Sequence, residues 1–280
     1  MVLAGGSFAA SAWEVGVLAG LASAGVDLRD SDLFIGTSAG ARVALHLAVG
    51  TDLEALFQQQ SETIRGLPSA PTLDWQSIRR ECAEAKAAGG GHEAILKRFG
   101  AIALKHASLA PADLQARRET MAAQLPVQTW PEKPLSIVAL NAETGARRVF
   151  NSASGANLVD VMIATTASFG SPPALIDGQH YIDGGYHSSN NVDLASGLDE
   201  VIVLSLRAPP GALALVPLDE SVASLRASGK RVTVIQPDTD SEAAMTSGSP
   251  GNPAIRAPIA KAGYQQGKRL GASGLSAATL

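Results

Sequence analysis

The sequence predicts an α/β fold of three layers, in which a mainly parallel central sheet lies between two layers of helices. Short apolar segments alternate with longer segments of helical periodicity along most of the chain, which is the pattern of strand–helix units. Several of the short segments, above all residues 201–206, are apolar without interruption, as strands buried on both faces of a parallel sheet are. With 46% hydrophobic and 17% charged residues, the 280-residue chain can bury one large core.

In chain order, the first predicted strand covers residues 1–4 and the first predicted helix covers residues 11–24. Val15, Leu18 and Leu21 share one face of that helix, and Gly25 ends it. Further strands are predicted where apolar and β-branched residues cluster, at residues 32–36, 135–140, 147–150, 201–206 and 231–235. Further helices are predicted at residues 41–49, 51–65, 157–164, 219–228 and 253–270.

Two connecting segments have a composition that predicts turns or loops. Asp177-Gly178 separates the apolar residues 174–176 from residues 180–182, and this dipeptide favours the two-residue type I′ turn of a β-hairpin. Residues 239–252 are polar and contain glycine, so we expect a loop there.

Residues 66–130 differ in composition from their surroundings. They contain prolines, alanine-rich amphipathic segments and the run Gly89-Gly90-Gly91. Because their apolar content is too dilute for a second globular core, we expect a helical insertion or cap rather than a second domain. The predicted organisation is therefore a single domain over residues 1–280 that carries this insertion.

Charge and cysteine content argue against several classes of protein. The formal net charge is −4 and no long run of basic residues occurs, so we expect no nucleic-acid partner and place Lys97-Arg98 and Arg117-Arg118 on solvated helix faces. Cys82 is the only cysteine, which rules out an internal disulfide and favours a reducing compartment. The first residues lack the regions of a signal peptide, and no segment approaches the roughly 20 apolar residues of a membrane span. These features predict a cytoplasmic protein.

The segment Gly36-Thr37-Ser38-Ala39-Gly40 has the G-x-S-x-G pattern of a nucleophile elbow. It lies between an apolar strand and a helix, and such a turn is too sharp for side chains at the two glycine positions. The pattern predicts that Ser38 stands at the tip of the turn in a strained conformation. The start of the following helix would favour a developing oxyanion beside it.

The order of residues argues against a Ser-His-Asp triad of the α/β-hydrolase type. In that fold the histidine follows the acid near the C-terminal end, whereas the last histidine here is His187, with 93 residues after it. His46 lies eight residues into the predicted helix that Ser38 opens, roughly 12 Å along its axis, which is too far for a general base. A carboxylate in direct contact with the serine is the remaining base.

Asp183 is the better of two candidate aspartates for that base. It ends the segment Tyr181-Ile182 and precedes Gly184-Gly185, which allow the backbone to approach closely. Burial there would raise the pKa of its carboxyl above the usual value of about 3.9 and make it a stronger base. Asp177 lies in the predicted hairpin turn, where aspartate normally has a structural role.

Three motifs in this order resemble the patatin-like phospholipase family: Gly5-Gly6-Ser7 after the first strand, the Ser38 elbow, and Asp183-Gly184-Gly185. The resemblance covers residues 1–65 and 134–240, and segments 12–18 and 191–195 look most like bacterial members. It implies a patatin-like α/β/α fold and hydrolysis of acyl esters in lipids by a Ser-Asp dyad. By position, Ser38 would be the nucleophile, Asp183 the base, and the amides of Gly5, Gly6 and Ser7 the oxyanion hole.

Departures from the family pattern keep other functions open. Ser7 stands where the family's loop has a third glycine, Ala10 replaces a later glycine, and Ala9 replaces a basic residue found in many members. A tilted oxyanion donor would lower turnover roughly 10²–10³-fold, and a serine hydroxyl would equally add a donor. An acyltransferase using the same dyad and a catalytically inactive binding protein are therefore alternatives to the hydrolase.

The resemblance implies a lipid or small ester as substrate and no cofactor. His180 and His187 lack the clustered carboxylates or cysteines of a metal site, so we expect no metal and assign them structural or pocket-lining roles. Trp75, Ile78 and Phe99 of the insertion either face lipid, in a transient contact with a membrane surface, or pack the insertion onto the core. Packing is the simpler expectation. The sequence does not determine the oligomeric state.

Overall fold

The structure is a computed structural model that describes residues 1–64 and 73–273. The strands are β1 (Val2–Leu3), β2 (Phe34–Thr37), β3 (Leu135–Asn141), β4 (Arg147–Phe150), β5 (Ala174–Ile176), β6 (Gln179–Asp183), β7 (Glu200–Leu204) and β8 (Arg231–Ile235). The helices are α1 (Ser7–Ser23), α2 (Ala39–Ala48), α3 (Leu53–Gln58), α4 (Trp75–Ala87), α5 (Gly91–His106), α6 (Pro111–Gln124), α7 (Leu158–Thr165), α8 (Leu218–Ala227), α9 (Thr239–Met245) and α10 (Arg256–Ala272).

In the described residues, eight strands form one sheet in the order β5-β6-β3-β2-β1-β7-β8, with β4 also paired to β3. The centre of the sheet is parallel, because β3, β2, β1, β7 and β8 run in the same direction. The pairs β3–β4, β3–β6 and β5–β6 are antiparallel. The sheet is therefore mixed, with its parallel part built from strand–helix crossovers.

Helices cover both faces of this sheet, which confirms the predicted three layers. Successive side chains of a strand point to opposite faces, so Leu3 and Phe34 join a core with α1, α2, α7 and α10. Their neighbours Val2 and Ile35 join a core with α8 on the other face. Because both faces are covered, the central strands are apolar at consecutive positions, as the sequence predicted.

Close packing of α1 against α10 holds the first helix in place. A Cβ at Gly16 would lie 2.2 Å from the carbonyl oxygen of Ala260, and a Cβ at Gly267 would lie 2.2 Å from that of Val17. The Nε1–H of Trp13, which is fully buried, donates to Oε1 of Gln266 at 2.8 Å. Small residues thus bring the two helix backbones into contact and fix the start of α1 relative to the sheet.

The structure corrects several predicted boundaries. Helix α1 begins at Ser7 rather than at residue 11, and α3 ends at Gln58 and continues as a 3₁₀ turn over Gln59–Ser61; the predicted end of that helix at Arg65 lies outside the described residues. The loop predicted at 239–252 is wrong in its first half, where α9 forms. The Asp238 side chain accepts a hydrogen bond from the amide of Ser241 and caps this helix, a signal present in the sequence.

The hairpin prediction is confirmed. Strands β5 and β6 pair through Ile176 and Gln179, and the intervening Asp177 and Gly178 both have positive φ, at 52° and 76°. Two consecutive residues of positive φ are the signature of a type I′ turn.

The described part of the insertion, from residue 73 onwards, is helical. Helices α4 and α5 pack on the sheet through a core that contains Ile78 and Phe99 together with Ile182 and Tyr186. Two of the three apolar side chains considered for lipid contact are therefore buried, and Trp75 is 49% exposed. Of Arg117 and Arg118, both predicted on a solvated helix face, only Arg118 is exposed, whereas Arg117 is half-buried. Across residues 1–64 and 73–273, no helix combines the length and apolar character that a bilayer crossing needs.

Candidate active site

Ser38 lies in the sharp turn between β2 and α2. Its backbone has φ 54° and ψ −124°, a conformation that costs a non-glycine residue of the order of 1–3 kcal/mol. The side chain remains half-exposed although residues 34–37 before it and 39–41 after it are buried. The strained, accessible tip that the elbow pattern predicts is therefore present.

Glycine at position 40 is required by the close approach of α2 to β1. A Cβ at Gly40 would lie 2.3 Å from the carbonyl oxygen of Leu3, well inside contact distance. At Gly36 a Cβ would lie 2.4 Å from the Cα of Ala41. Both glycines of the pattern thus allow the strand, the turn and the helix to pack against one another.

Strands β2 and β6 meet end to end along one edge of β3. Thr37 of β2 is in register with Val138, and Asp183 of β6 is in register with the next residue, Ala139. Strand β4 occupies the other edge, where it pairs with Ile137 through Leu140. Because β2 and β6 run in opposite directions, their C-terminal ends face each other. This arrangement brings Ser38 and Asp183 together although 144 residues separate them in the chain.

Asp183 is only 8% exposed, and burial raises the pKa of its carboxyl to about 6. The side chain of Ser38, the amide of Gly185 and the charge of Arg117 act in the opposite direction and hold this pKa down. The Gly185 amide donates to Oδ1 at 2.8 Å. The carboxyl is therefore a stronger base than an exposed aspartate, and it is still ionised at neutral pH.

Comparison with known proteins identifies the family of this chain. A family model described as patatin-like phospholipase matches residues 1–196, which is more than half of the chain and includes both Ser38 and Asp183. The chain belongs to the patatin-like phospholipase family. The resemblance inferred from three motifs is thus confirmed at the level of the family.

Among solved structures, the crystal structure of the type III effector protein ExoU matches 95% of this chain and 52% of that chain, with 15% sequence identity and a TM-score of 0.36. The present chain therefore spans about half the length of the ExoU chain. No curated protein matches it.

Thr165 supports the elbow of this patatin-like chain and was not singled out from the sequence. Its hydroxyl oxygen accepts a hydrogen bond from the amide of Ser38 at 2.8 Å and donates to the carbonyl of Val138 at 2.6 Å. The side chain is fully buried at the end of α7, so the bond to Val138 is shielded from water and the bond from Ser38 is partly shielded. Because the contact joins residues 127 positions apart, no local pattern signals it.

Asn191 is a second supporting residue; it begins the segment 191–195 noted in the resemblance, but its contacts are not signalled by the sequence. It is fully buried and has a φ of 49°. Its Nδ2 donates to Oγ1 of Thr37 at 3.0 Å and to the carbonyl of Ser188 at 2.7 Å, and its Oδ1 accepts from Nη1 of Arg147 at 3.1 Å. These bonds connect Thr37, the residue before Ser38, to the loop that follows β6.

The predicted oxyanion loop lies beside Ser38, since a Cβ at Gly5 would be 2.9 Å from the Cβ of Ser38. The amide of Gly5 donates to the carbonyl of Ser189 at 2.7 Å and is therefore occupied, which differs from the role expected for it. Gly6 caps α1 with φ 152°, and Ser7 begins the helix with φ 57°. The amides in the first turn of an α-helix have no hydrogen-bond partner within their own helix, so the first amides of α1 are free of intrahelical bonds.

The other glycines after Asp183 make close contacts that a side chain would prevent. A Cβ at Gly184 would lie 2.5 Å from the carbonyl oxygen of Val138, and one at Gly185 would lie 3.0 Å from Oδ1 of Asp183. Asp177, the alternative base, lies on the hairpin turn and pairs with Arg148 at 3.2 Å. The structure thus brings only Asp183 of these two aspartates to Ser38.

The histidines lie in other networks. His46 Nδ1 is 3.1 Å from Oγ1 of Thr51, and burial lowers the pKa of its ring to about 4. His180 pairs with Glu143 at 2.7 Å, and His187 Nδ1 is 3.2 Å from Oδ1 of Asn191. In the part of the chain described, no three histidine, cysteine or acidic side chains gather as metal ligands would.

Proposed function

We propose that this patatin-like chain is a serine lipid acyl hydrolase of the phospholipase or carboxylesterase type, with Ser38 as nucleophile and Asp183 as general base. The observation that carries the proposal is the end-to-end meeting of β2 and β6, which sets a strained serine against a buried aspartate. A base with a pKa of about 6 matches proton transfer near neutral pH better than an exposed carboxyl does.

In the first half-reaction, Oγ of Ser38 forms a bond to the ester carbonyl carbon while its proton passes to Asp183. Collapse of the tetrahedral intermediate breaks the bond to the alcohol, which leaves with the proton from Asp183. In the second half-reaction, water gives a proton to the same carboxylate and attacks the acyl carbon. The bond between that carbon and Oγ of Ser38 then breaks, and Asp183 returns the proton to Oγ. The products are a fatty acid and the free alcohol, and both active-site residues return to their starting state.

The amides of Gly6 and Ser7, at the positive end of α1, are the proposed donors to the oxyanion. A helix N-terminus supplies unpaired N–H groups together with a partial positive charge. Gly5 has a different part in the proposal, because its amide is bound to Ser189 and thereby fixes the loop against the segment that follows Asp183.

The experiment that tests the proposal is labelling with a fluorophosphonate, which reacts with an activated serine. The wild type should be labelled, and Ser38→Ala should not be. Asp183→Asn should be labelled far more slowly, whereas Asp177→Asn in the same hairpin should be labelled at the wild-type rate. Equal labelling of the wild type and Ser38→Ala would refute the assignment, and an unlabelled wild type would support the inactive binding protein.

Hydrolysis of p-nitrophenyl esters and phospholipids by the same variants identifies the reaction. Analysis of the products with added alcohol or thiol acceptors separates a hydrolase from an acyltransferase, since a transferase gives a new ester instead of the fatty acid.

A further inference from the structure

Arg42 and Arg117 approach the candidate active site from two different helices. Arg42 follows Ser38 by four residues, one turn along α2, and therefore lies on the same side of that helix. Within α2 only Arg42 and His46 are not buried, so this side faces away from the core. Nη1 of Arg42 donates to Oε1 of Gln124, on α6, at 3.0 Å.

Arg117 lies on the same side of α6 as Gln124, seven residues earlier. Its Nη2 donates to the carbonyl oxygen of Thr166 at 3.1 Å and to the Oγ1 of Thr166 at 3.2 Å. Thr166 directly follows Thr165, which holds the amide of Ser38. The charge of Arg117 also lowers the pKa of Asp183. The charge of Arg42 acts on Arg117, and that of Arg117 acts on Asp183, so the two guanidinium groups lie near each other and Arg117 lies near the candidate base.

Neither guanidinium has a carboxylate partner in the described residues, where no salt bridge includes Arg42 or Arg117. Nε of Arg117 is fully buried without a hydrogen-bond partner, and so is Nε2 of Gln124. Buried donors of this kind are normally satisfied, so each one needs an explanation.

Other arginines of this chain show what a satisfied guanidinium looks like. Arg147 forms two bonds to the carboxylate of Asp193, at 2.9 and 2.6 Å. Arg256 donates from all three of its nitrogens, to Gln60 and to the carbonyls of Glu62 and Gln59. In the part of the chain that the structure describes, Arg42 and Arg117 have neither a salt bridge to a carboxylate, as Arg147 has, nor hydrogen bonds from all three nitrogens, as Arg256 has.

The like charges of Arg42 and Arg117 repel each other, and the charge of Asp183 offsets this in part without forming a salt bridge with Arg117. Burial, and then the charge of Arg42, lowers the pKa of Arg117 to about 10, and burial also lowers the pKa of Arg42. An arginine guanidinium keeps its proton at neutral pH. An oxyanion between them would relieve the repulsion and accept the unused N–H groups, because guanidinium donors match the geometry of phosphate and carboxylate.

Resting on the proposed function, we propose that Arg42 and Arg117 form a subsite for an anionic oxygen group of the substrate, and that this group is a phosphate carried close to the scissile ester. Both residues are half-buried rather than sealed, so part of each side chain is open to solvent. The subsite makes Arg42 and Arg117 specificity-determining residues.

The kinetic test compares an acylglycerol phosphate with the neutral monoacylglycerol of the same acyl chain, at about pH 8.5 where Asp183 is ionised. The measured quantity is the ratio of kcat/KM values for the two substrates, because a change in the basicity of Asp183 affects both substrates equally and cancels in the ratio. Arg42→Gln and Arg117→Gln should each lower the ratio about tenfold or more, mainly through KM of the phosphate substrate. Arg118→Gln is the matched control, since Arg118 is the next residue of α6 and pairs with Asp160 on the surface; it should leave the ratio unchanged.

A binding test separates this inference from the proposed function. In the Ser38→Ala background, calorimetry measures binding of dodecyl phosphate, dodecanoate, dodecanol and inorganic phosphate. The proposal expects dodecyl phosphate to bind most tightly and Arg117→Gln to weaken it, whether or not the wild type hydrolyses esters. Tightest binding of dodecanoate would reassign the subsite to a carboxylate. Binding of inorganic phosphate without binding of dodecyl phosphate would show that the subsite recognises free phosphate rather than the phosphate of a lipid.

Two results would overturn the subsite. One is an unchanged kcat/KM ratio in both arginine variants that still hydrolyse the neutral ester. The other is a rise in the pH midpoint of kcat in Arg117→Gln while KM of both substrates stays constant. That second result would assign Arg117 solely to holding down the pKa of Asp183.

Discussion

Replacing Asp183 with asparagine is expected to remove turnover and, at the same time, to stabilise the fold above about pH 6. The reason is the burial of the carboxyl, which raises its pKa from 3.8 to about 6. The folded protein therefore holds this proton more tightly than the unfolded chain does. Stability is lost as the pH rises from about 4 to about 6, and the cost remains at higher pH.

The magnitude follows from the size of the shift. Each pKa unit corresponds to about 1.4 kcal/mol, so the ionised Asp183 costs the fold about 3 kcal/mol of unfolding free energy near pH 8. Asparagine carries no charge and keeps an oxygen that can accept the hydrogen bond of the Gly185 amide. For a chain of this size, about 3 kcal/mol corresponds to a rise of roughly 6–10 °C in Tm.

The assay is urea unfolding of the wild type and Asp183→Asn at about pH 5 and about pH 8. The advantage of the variant in unfolding free energy should be larger by about 1.4 kcal/mol near pH 8 than near pH 5, whatever constant offset the amide introduces. An advantage that does not change with pH, or a variant that loses stability as the pH rises, would show that the carboxyl is not a buried, destabilising charge.

Four further outcomes are expected. Because Asp183 must be ionised to accept a proton, kcat/KM should fall about tenfold per pH unit below about 6, as a pH–rate profile would show; a midpoint near 4 would contradict the raised pKa. Thr165→Val leaves a buried amide and a buried carbonyl without a partner, so urea unfolding should show a loss of about 1–3 kcal/mol, and fluorophosphonate labelling should slow. Gly40→Ala drives a methyl group into the backbone of β1 and should cost more than about 3 kcal/mol, whereas Gly197→Ala, where a Cβ meets nothing within 4 Å, should leave the urea midpoint nearly unchanged. Ser7→Gly should stabilise the protein by up to about 1 kcal/mol in the same measurement, because glycine adopts the positive φ of position 7 without strain; a destabilised variant would show that the serine side chain compensates for it.

Local sequence was enough to predict most of the elements and part of the site. The apolar run of β7, the Asp177-Gly178 turn and the glycine-flanked serine each depend on neighbouring residues, whose sterics act within a few positions. The polar composition of residues 239–252 predicts a loop where α9 forms, although the capping residue Asp238 is a helix signal in the sequence. The first turn of α1 was missed because Gly6 and Ser7 looked like a loop, and in the structure they begin the helix with positive φ.

By itself, the sequence determined the α/β class, the serine at the elbow, the preference for Asp183 over Asp177, and the resemblance to the patatin-like family. Only the tertiary structure decided how Asp183 reaches Ser38, since that depends on β6 pairing antiparallel to β3 and ending opposite β2. The raised pKa of Asp183, the occupied amide of Gly5 and the buried, unsatisfied Nε of Arg117 also follow from residues distant in sequence. Burial and charge interactions act through space, so no short pattern along the chain encodes them.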